Sequence, residues 1–362
     1  METRVLIVGG GLAGLALARR LQSAKCDFQV VEARDRFGGR IETANSGPAA
    51  FDLGPAWFWP GQPRIDALIN ELGLRTFLQY SEGSLSYEDD RGAVMRDRGY
   101  ASMQGSFRMD SGLSRLIAAI VDDLPEAQLH CARQVTRVRR RNNRIETQLA
   151  GPQSDMTITS NHVVLAIPPR VAARHIDFDG ALPANAESAM LEIPTWMAGH
   201  AKLIAVYETP FWRDAGLSGD AMSRRGPLVE IHDASPGDGG PYALFGFFGV
   251  PAGYRQAQGD QIKELAVEQL ERIFGPEASR PIEVFYKDWA FDPHTAIDLD
   301  HTPPARHPTY GLPHALHNLW DGQLLLASTE TAPTFGGYLE GALEAAEAAG
   351  ENVLANLTPA TR

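Results

Sequence analysis

Val5-Leu6-Ile7-Val8-Gly9-Gly10-Gly11-Leu12-Ala13-Gly14 is an apolar, partly β-branched run that leads into Gly9-x-Gly11-x-x-Gly14. An Ala/Leu-rich helical stretch, Leu15 to Leu21, follows at once. Strand, glycine turn and helix in that order form the setting that a dinucleotide fingerprint requires. Gly9 allows the tight turn, Gly11 lets the backbone approach a pyrophosphate, and Gly14 lets the helix pack closely on the strand. Leu12 and Ala13 open the helix, whose free N–H groups and positive dipole end face the phosphates. A second strand, Phe28 to Val31, ends in Glu32. Its carboxylate lies near the roughly twenty-residue spacing expected for a ribose-hydroxyl acceptor. That acid favours an unphosphorylated ribose, hence FAD or NAD over NADP.

The chain has 362 residues, enough for two domains or for one large α/β domain with insertions. Its 44% hydrophobic content supports an ordinary globular core. The formal net charge of -12 argues against nucleic acid or an anionic membrane as a main partner. The two cysteines, Cys26 and Cys131, are far apart and fit neither a disulfide framework nor a metal site. Cys26, just ahead of the second strand, is expected to be buried and inert. The apolar N-terminus lacks the basic region of a signal peptide. No stretch reaches the roughly 18 apolar residues of a membrane span. The expected setting is soluble and cytoplasmic, and nothing in the sequence speaks to oligomeric state.

Beyond Glu32, Ala33-Arg34-Asp35-Arg36-Phe37-Gly38-Gly39-Arg40 forms a second anion-friendly loop. Arg64 to Leu72 reads as an amphipathic helix closed by Gly73. From Tyr80 to Met109 the pattern weakens, and strands there are short at best. Leu113 to Leu124 returns to helix. Gln134 to Val138 and Arg144 to Leu149 alternate as a hairpin around Asn142-Asn143. The basic run Arg137 to Arg141 beside it reads as a solvated edge. His162 to Ile167, Ala201 to Tyr207, Ile282 to Trp289 and Leu324 to Ala327 read as strands, and Gln261 to Phe274 as a helix. Phe291 to Leu316 is a Pro/His-rich loop longer than an ordinary connection, so it is expected to line something. Gly336-Gly337 opens a long Ala/Glu/Leu helix, Tyr338 to Leu354.

Several motifs converge: the glycine fingerprint, Glu32 to Arg40, Asp52-Leu53-Gly54, Thr329-Glu330-Thr331-Ala332, and Gly336-Gly337-Tyr338-Leu339-Glu340-Gly341-Ala342. Together they closely resemble the flavin-containing amine oxidases, the monoamine oxidase-like branch of the FAD-dependent oxidoreductases. The resemblance implies an α/β fold in two domains: a Rossmann-type FAD-binding domain and an interleaved, mixed-sheet substrate domain of reduced size. Residues 1-78, 112-190 and 288-362 fall to the first, and residues 79-111 and 191-287 to the second. It implies that Glu32 holds the adenosine ribose, with Ala33 beside it, and that Arg34, Gly39 and Arg40 lie along the ribose and pyrophosphate. Val135 corresponds to the residue whose backbone meets the adenine. Pro55, Ala56, Trp57 and Trp289 pass beside the isoalloxazine. Glu330 approaches the ribityl-phosphate. Gly337, Tyr338 and Leu339 bring the final helix N-terminus to the flavin, where it would stabilise negative charge.

Lys202 stands eight residues before Pro210-Phe211-Trp212. This matches the family's strand carrying a lysine that reaches flavin N5 through a water. A lysine in an otherwise apolar strand needs a partner or a depressed pKa if it is buried; the alternative is an edge lysine reaching solvent. Tyr338 matches one wall of the family's aromatic pair, and the position of the second wall falls near Leu299, so the aromatic cage is half missing. His294 and Asp298 are expected to add polar groups there. The segment after Lys287-Asp288-Trp289 has no cysteine, so the resemblance implies non-covalent FAD. Ser328 replaces the usual glycine before Thr-Glu. Gly54-Pro55 is followed by no arginine, which removes support for an α-amino acid substrate. The implied function is an FAD-dependent oxidoreductase that oxidises a small-molecule amine by hydride transfer to flavin N5, with O2 reoxidation giving hydrogen peroxide. Two alternatives stay open: a flavin-dependent dehydrogenase or desaturase of a non-amine, and a non-catalytic FAD-binding partner protein. Neither metal nor nucleic acid is called for.

Overall fold

In the computed structural model, which describes residues 1–357, the first strand runs Glu2–Val8 and its side chains alternate between two cores. Val5 and Ile7 face a layer made by the helices Leu12–Ser23, Pro63–Glu71, Ser114–Asp122 and Leu339–Leu357. Leu6 and Val8 face the opposite layer with Ala172, Met190 and Trp320. A strand buried on both faces needs apolar residues at every position, and Val5-Leu6-Ile7-Val8 supplies them.

Seven strands form this first sheet. Glu2–Val8 lies between Met156–Leu165 and Phe28–Val31, parallel to both, with Val8 level with Leu165 and Val31. The strands therefore end together, which is where open α/β sheets bind ligands. Leu324–Leu326 pairs in parallel with Met156–Leu165, and Leu129–His130 with Phe28–Val31. The hairpin Gln134–Arg141 and Arg144–Ala150 closes the other edge. Along it Arg137, Arg139 and Arg140 pair with Asp177, Asp179 and Asp321, as suits a solvated edge.

A second seven-stranded sheet is built from residues 84–96 and 201–288. Its strand Ala201–Tyr207 is not an edge: it lies between Tyr242–Phe248 and Glu283–Asp288, antiparallel to both. Leu203 and Ala205 pack with Ile262, Ala266 and Leu270 of the helix Gln261–Phe274. Ile204 and Val206 face the other way, onto Phe51 and Leu53. By the two-residue period of a strand, Lys202 shares that second face.

The final helix, Leu339–Leu357, packs along Leu12–Ser23 through Ala346, Ala349 and Val353. Its Glu340 is fully buried. The carboxylate accepts from the backbone N–H groups of Arg64 at 3.1 Å and Ile65 at 2.9 Å, satisfying the start of Pro63–Glu71. Among the described residues no helix is long and apolar enough to cross a membrane.

Candidate active site

One cavity of about 940 Å³ runs from the first glycine turn to the second sheet. At its first end the backbone is shaped by glycine. Gly9 has φ +108°, and a Cβ there would sit 2.6 Å from the carbonyl oxygen of Ala166. Gly39, at φ +58°, lies against Gly11. Glu32 is buried; its carboxylate accepts from Gly10 N at 2.8 Å and Arg34 N at 2.9 Å. Arg34 in turn donates to Asp292 at 2.5 Å and to Thr295 at 3.0 Å. Gly9, Gly11, Leu12, Ala13, Glu32, Ala33, Arg34, Gly39, Arg40 and Val135 all line this end.

Gly14 and Glu330 stand behind the cavity wall, Gly14 in the helix–strand packing role expected of it. Gly14 does not line the cavity; a Cβ there would meet the Gly9 carbonyl oxygen at 1.9 Å, so its place is the helix–strand contact. Glu330 does not line it either. Its carboxylate has no exposed surface and pairs with Arg40, at 2.6 Å from Nη1 and 3.2 Å from Nη2. The arginine takes the cavity wall and the acid lies behind it as its counter-ion.

The second end holds Pro55, Ala56, Trp57, Trp289, Lys202 and the Gly337-Tyr338-Leu339 start of the final helix. Lys202 is 3% exposed, which rules out a strand-edge lysine reaching solvent. Its Nζ donates to the carbonyl oxygens of Asp52 at 3.0 Å and Gly54 at 2.5 Å. It also stands over Phe245 (4.5 Å), Trp57 (5.5 Å) and Phe247 (5.7 Å). Burial pulls its pKa down to about 7; the Asp52 carboxylate opposes that pull and Arg108 adds to it. At neutral pH a sizeable fraction is an uncharged amine able to accept a proton.

Tyr338 is partly exposed and stacks on His307, with ring centres 5.1 Å apart and planes at 14°. Leu299 does not form a second wall: it is 53% exposed and outside the cavity. The reason is Asp300, whose buried carboxylate accepts from Arg170 at 2.6 Å, Ile297 N at 3.0 Å and Thr195 N at 3.3 Å, which fixes the turn with Leu299 outward. Asp298 is likewise outside, paired loosely with Arg174 at 3.8 Å, whereas His294 does line the cavity. The long loop contributes His294, Thr295, His301, Thr302 and Pro303 to the wall. Sequence reading missed Trp59, Met103, Trp196, Glu230 and Phe247, which complete the second end. Apart from Trp59, which closes the aromatic run Trp57-Phe58-Trp59, local pattern gave no signal for them, because each is an ordinary strand or loop residue until the sheets come together.

The profile of the flavin containing amine oxidoreductases matches residues 12–101 and 83–354. The chain belongs to that family. A probable flavin-containing monoamine oxidase A of Dictyostelium discoideum is 25% identical over 94% of this chain and 95% of its own length. The putrescine oxidase of Kocuria rosea is 24% identical over 82% and 84%. The solved structure of wild-type putrescine oxidase bound to putrescine superposes with a TM-score of 0.81 at 20% identity, covering 98% of this chain and 99% of that one, so the fold is shared.

The protein is thus an oxidoreductase of the amine oxidase type, and its cofactor is FAD. The cavity fits that group on its own evidence. Gly11 lines it with open space where a Cβ would stand, the nearest atom being 3.8 Å away, so its backbone is free to meet a pyrophosphate. Ser328 is buried, lines the cavity and has an Oγ without a hydrogen-bond partner, as does His200 at Nδ1. Buried polar atoms of this kind await a partner. Both cysteines are free and neither lines the cavity.

Proposed function

We propose that the second end of this cavity oxidises a neutral amine whose α-carbon lies between Lys202 and Tyr338, with O2 as the electron acceptor. When bound, FAD would supply the redox chemistry, namely hydride acceptance from the amine carbon and transfer of the electrons to O2 to give hydrogen peroxide. The chain's residues position, desolvate and move protons. Lys202, uncharged in part at neutral pH, holds a water and exchanges a proton with it. Trp57, Phe247 and Tyr338 exclude bulk water and favour the uncharged amine over the ammonium. The N-terminus of the final helix offers N–H groups to negative charge arising on the cofactor. At the other end Glu32 holds the ribose and Arg34 and Arg40 flank the pyrophosphate.

The observation that carries this reading is the buried Lys202, drawn down to a pKa of about 7 in the wall of a cavity lined at its far end by a glycine fingerprint. Two sheets, each with its own core, support the division into a cofactor domain (1–78, 112–190 and 288 onward) and a substrate domain (79–111 and 191–287). Two free thiols are what a reducing compartment maintains, so a cytoplasmic setting belongs to the same proposal.

Anaerobic mixing with a panel of primary and secondary amines tests it. Bleaching of the oxidised flavin bands by at least one amine, and recovery on admitting O2, is the expected result. Bleaching by an unsaturated or carbonyl substrate and by no amine would overturn it.

A further inference from the structure

Two acidic residues line the cavity among the described residues, Glu32 and Glu230. Glu32 is committed to the glycine turn. Glu230 lies on the strand Leu228–Asp233, where it stands opposite Phe247, and Phe247 stands opposite Lys202 on the next strand. Residues opposite one another point to the same face, so Lys202, Phe247 and Glu230 form a row across three strands. Two strand spacings separate the ends of that row, roughly 10 Å. Phe247, Trp57 and Met103 line the cavity around it and present apolar or aromatic surface.

The Glu230 carboxylate is held from behind. Oε1 accepts from Ser102 Oγ at 2.5 Å and contacts His232 Nε2 at 3.0 Å. His232 Nδ1 meets Asp220 Oδ1 at 2.6 Å. Burial disfavours a charge on His232, but the bonds to Asp220 and Glu230 outweigh it and its pKa lies above the ordinary value. With His232 protonated, two carboxylates and one imidazolium leave one net negative charge. Among the described residues, Glu230 Oε2 takes no hydrogen bond.

We propose that Glu230, positioned by His232 and Asp220, anchors a second protonated nitrogen of the substrate, so that this site selects diamines or polyamines over monoamines. The inference rests on the amine-oxidising reading of the same cavity. One nitrogen reacts beside Lys202, an aliphatic spacer lies over Phe247 and Trp57, and the far ammonium meets Oε2. An ammonium there forms a charge-assisted pair in a partly water-excluded pocket, whereas the methyl end of an alkylamine leaves Oε2 without a partner and the site's remaining negative charge unbalanced.

The test compares α,ω-diamines from propyl to octyl with n-alkylamines of the same carbon number, scored by kcat/KM. The wild type is expected to prefer the diamine at a matched spacer by roughly 10- to 100-fold, and Glu230→Gln to lose most of that ratio. Glu230→Asp, which withdraws the carboxylate by one methylene, keeps a diamine preference but moves its optimum to a longer spacer, a change no general loss of structure produces. Flavin absorbance confirms that each variant holds its cofactor. A wild type that treats the two series alike, or a ratio unmoved in both variants, overturns the anchor and leaves the amine reading standing. Flavin that no amine of either series reduces overturns the amine reading and the anchor with it.

Discussion

Lys202 Nζ donates to the carbonyl oxygen of Gly54 at 2.5 Å, across 148 residues of chain. The bond joins the second sheet to the Asp52-Leu53-Gly54 segment that leads to the cofactor cavity, and it places at the second end the only lysine that lines the cavity among the described residues. The lysine has backbone acceptors, aromatic faces and no solvent, so its charge is finely balanced.

Lys202→Met keeps the apolar stem and removes the amine. Reoxidation of the reduced flavin by O2 should slow by roughly 100-fold or more, since a positioned proton-transfer group contributes on that scale. Stopped-flow mixing of reduced enzyme with O2 measures it directly. An unchanged rate would remove Lys202 from the oxidative step.

The same lysine ties stability to pH. Its pKa falls from 10.5 to about 7 on folding, so between those values the unfolded chain binds more protons than the folded one. Below pH 7 the folded state bears the full penalty of a buried ammonium, and the penalty is relieved as pH rises toward 10.5. Wild type should therefore gain in Tm relative to Lys202→Met across that window, a trend readable by calorimetry on the pair at matched pH. A constant difference would show that the lysine is charged at both ends of the range.

Arg40→Met should be far more harmful than Glu330→Gln. The first strands a fully buried carboxylate without its counter-ion, which costs about 3–5 kcal/mol. The second leaves a partly exposed arginine that water can reach. Chemical denaturation of the two variants and of the double variant gives the comparison, and the double variant should recover part of the loss.

Gly14→Ala brings a Cβ to within 1.9 Å of the Gly9 carbonyl oxygen. The helix must move off the strand, at about 1–3 kcal/mol or more. Because the same turn cradles the cofactor, the dissociation constant for FAD should rise with the fall in Tm. A normal FAD affinity in a destabilised variant would separate the packing from the cradle.

Acid precipitation should release all the flavin into the supernatant, because neither Cys26 nor Cys131 reaches the cavity. Yellow colour that stays in the pellet would point to a covalent link from another residue, such as one of the cavity histidines.

The local patterns in the sequence determined much of this protein. Val5 to Gly14 carries its own meaning, because a strand, a turn that needs glycine and a helix start are decided by neighbours in the chain. The strand Ala201–Tyr207 and the helix Gln261–Phe274 were legible for the same reason: periodicity is a local property. Tertiary structure alone decided where the charges sit. Lys202 looked the same in sequence whether at an edge or buried, and its two flanking strands settled the matter. Glu330 stands in a motif legible in the sequence, but only the fold pairs its carboxylate with Arg40, 290 positions away. Leu299 was turned outward by the Asp300–Arg170 pair. Glu230 had no motif at all, and its place opposite Phe247 exists only because strands distant in sequence share one register. Electrostatic partners depend on distance in space and on exclusion of water, and neither is written in the order of residues along the chain.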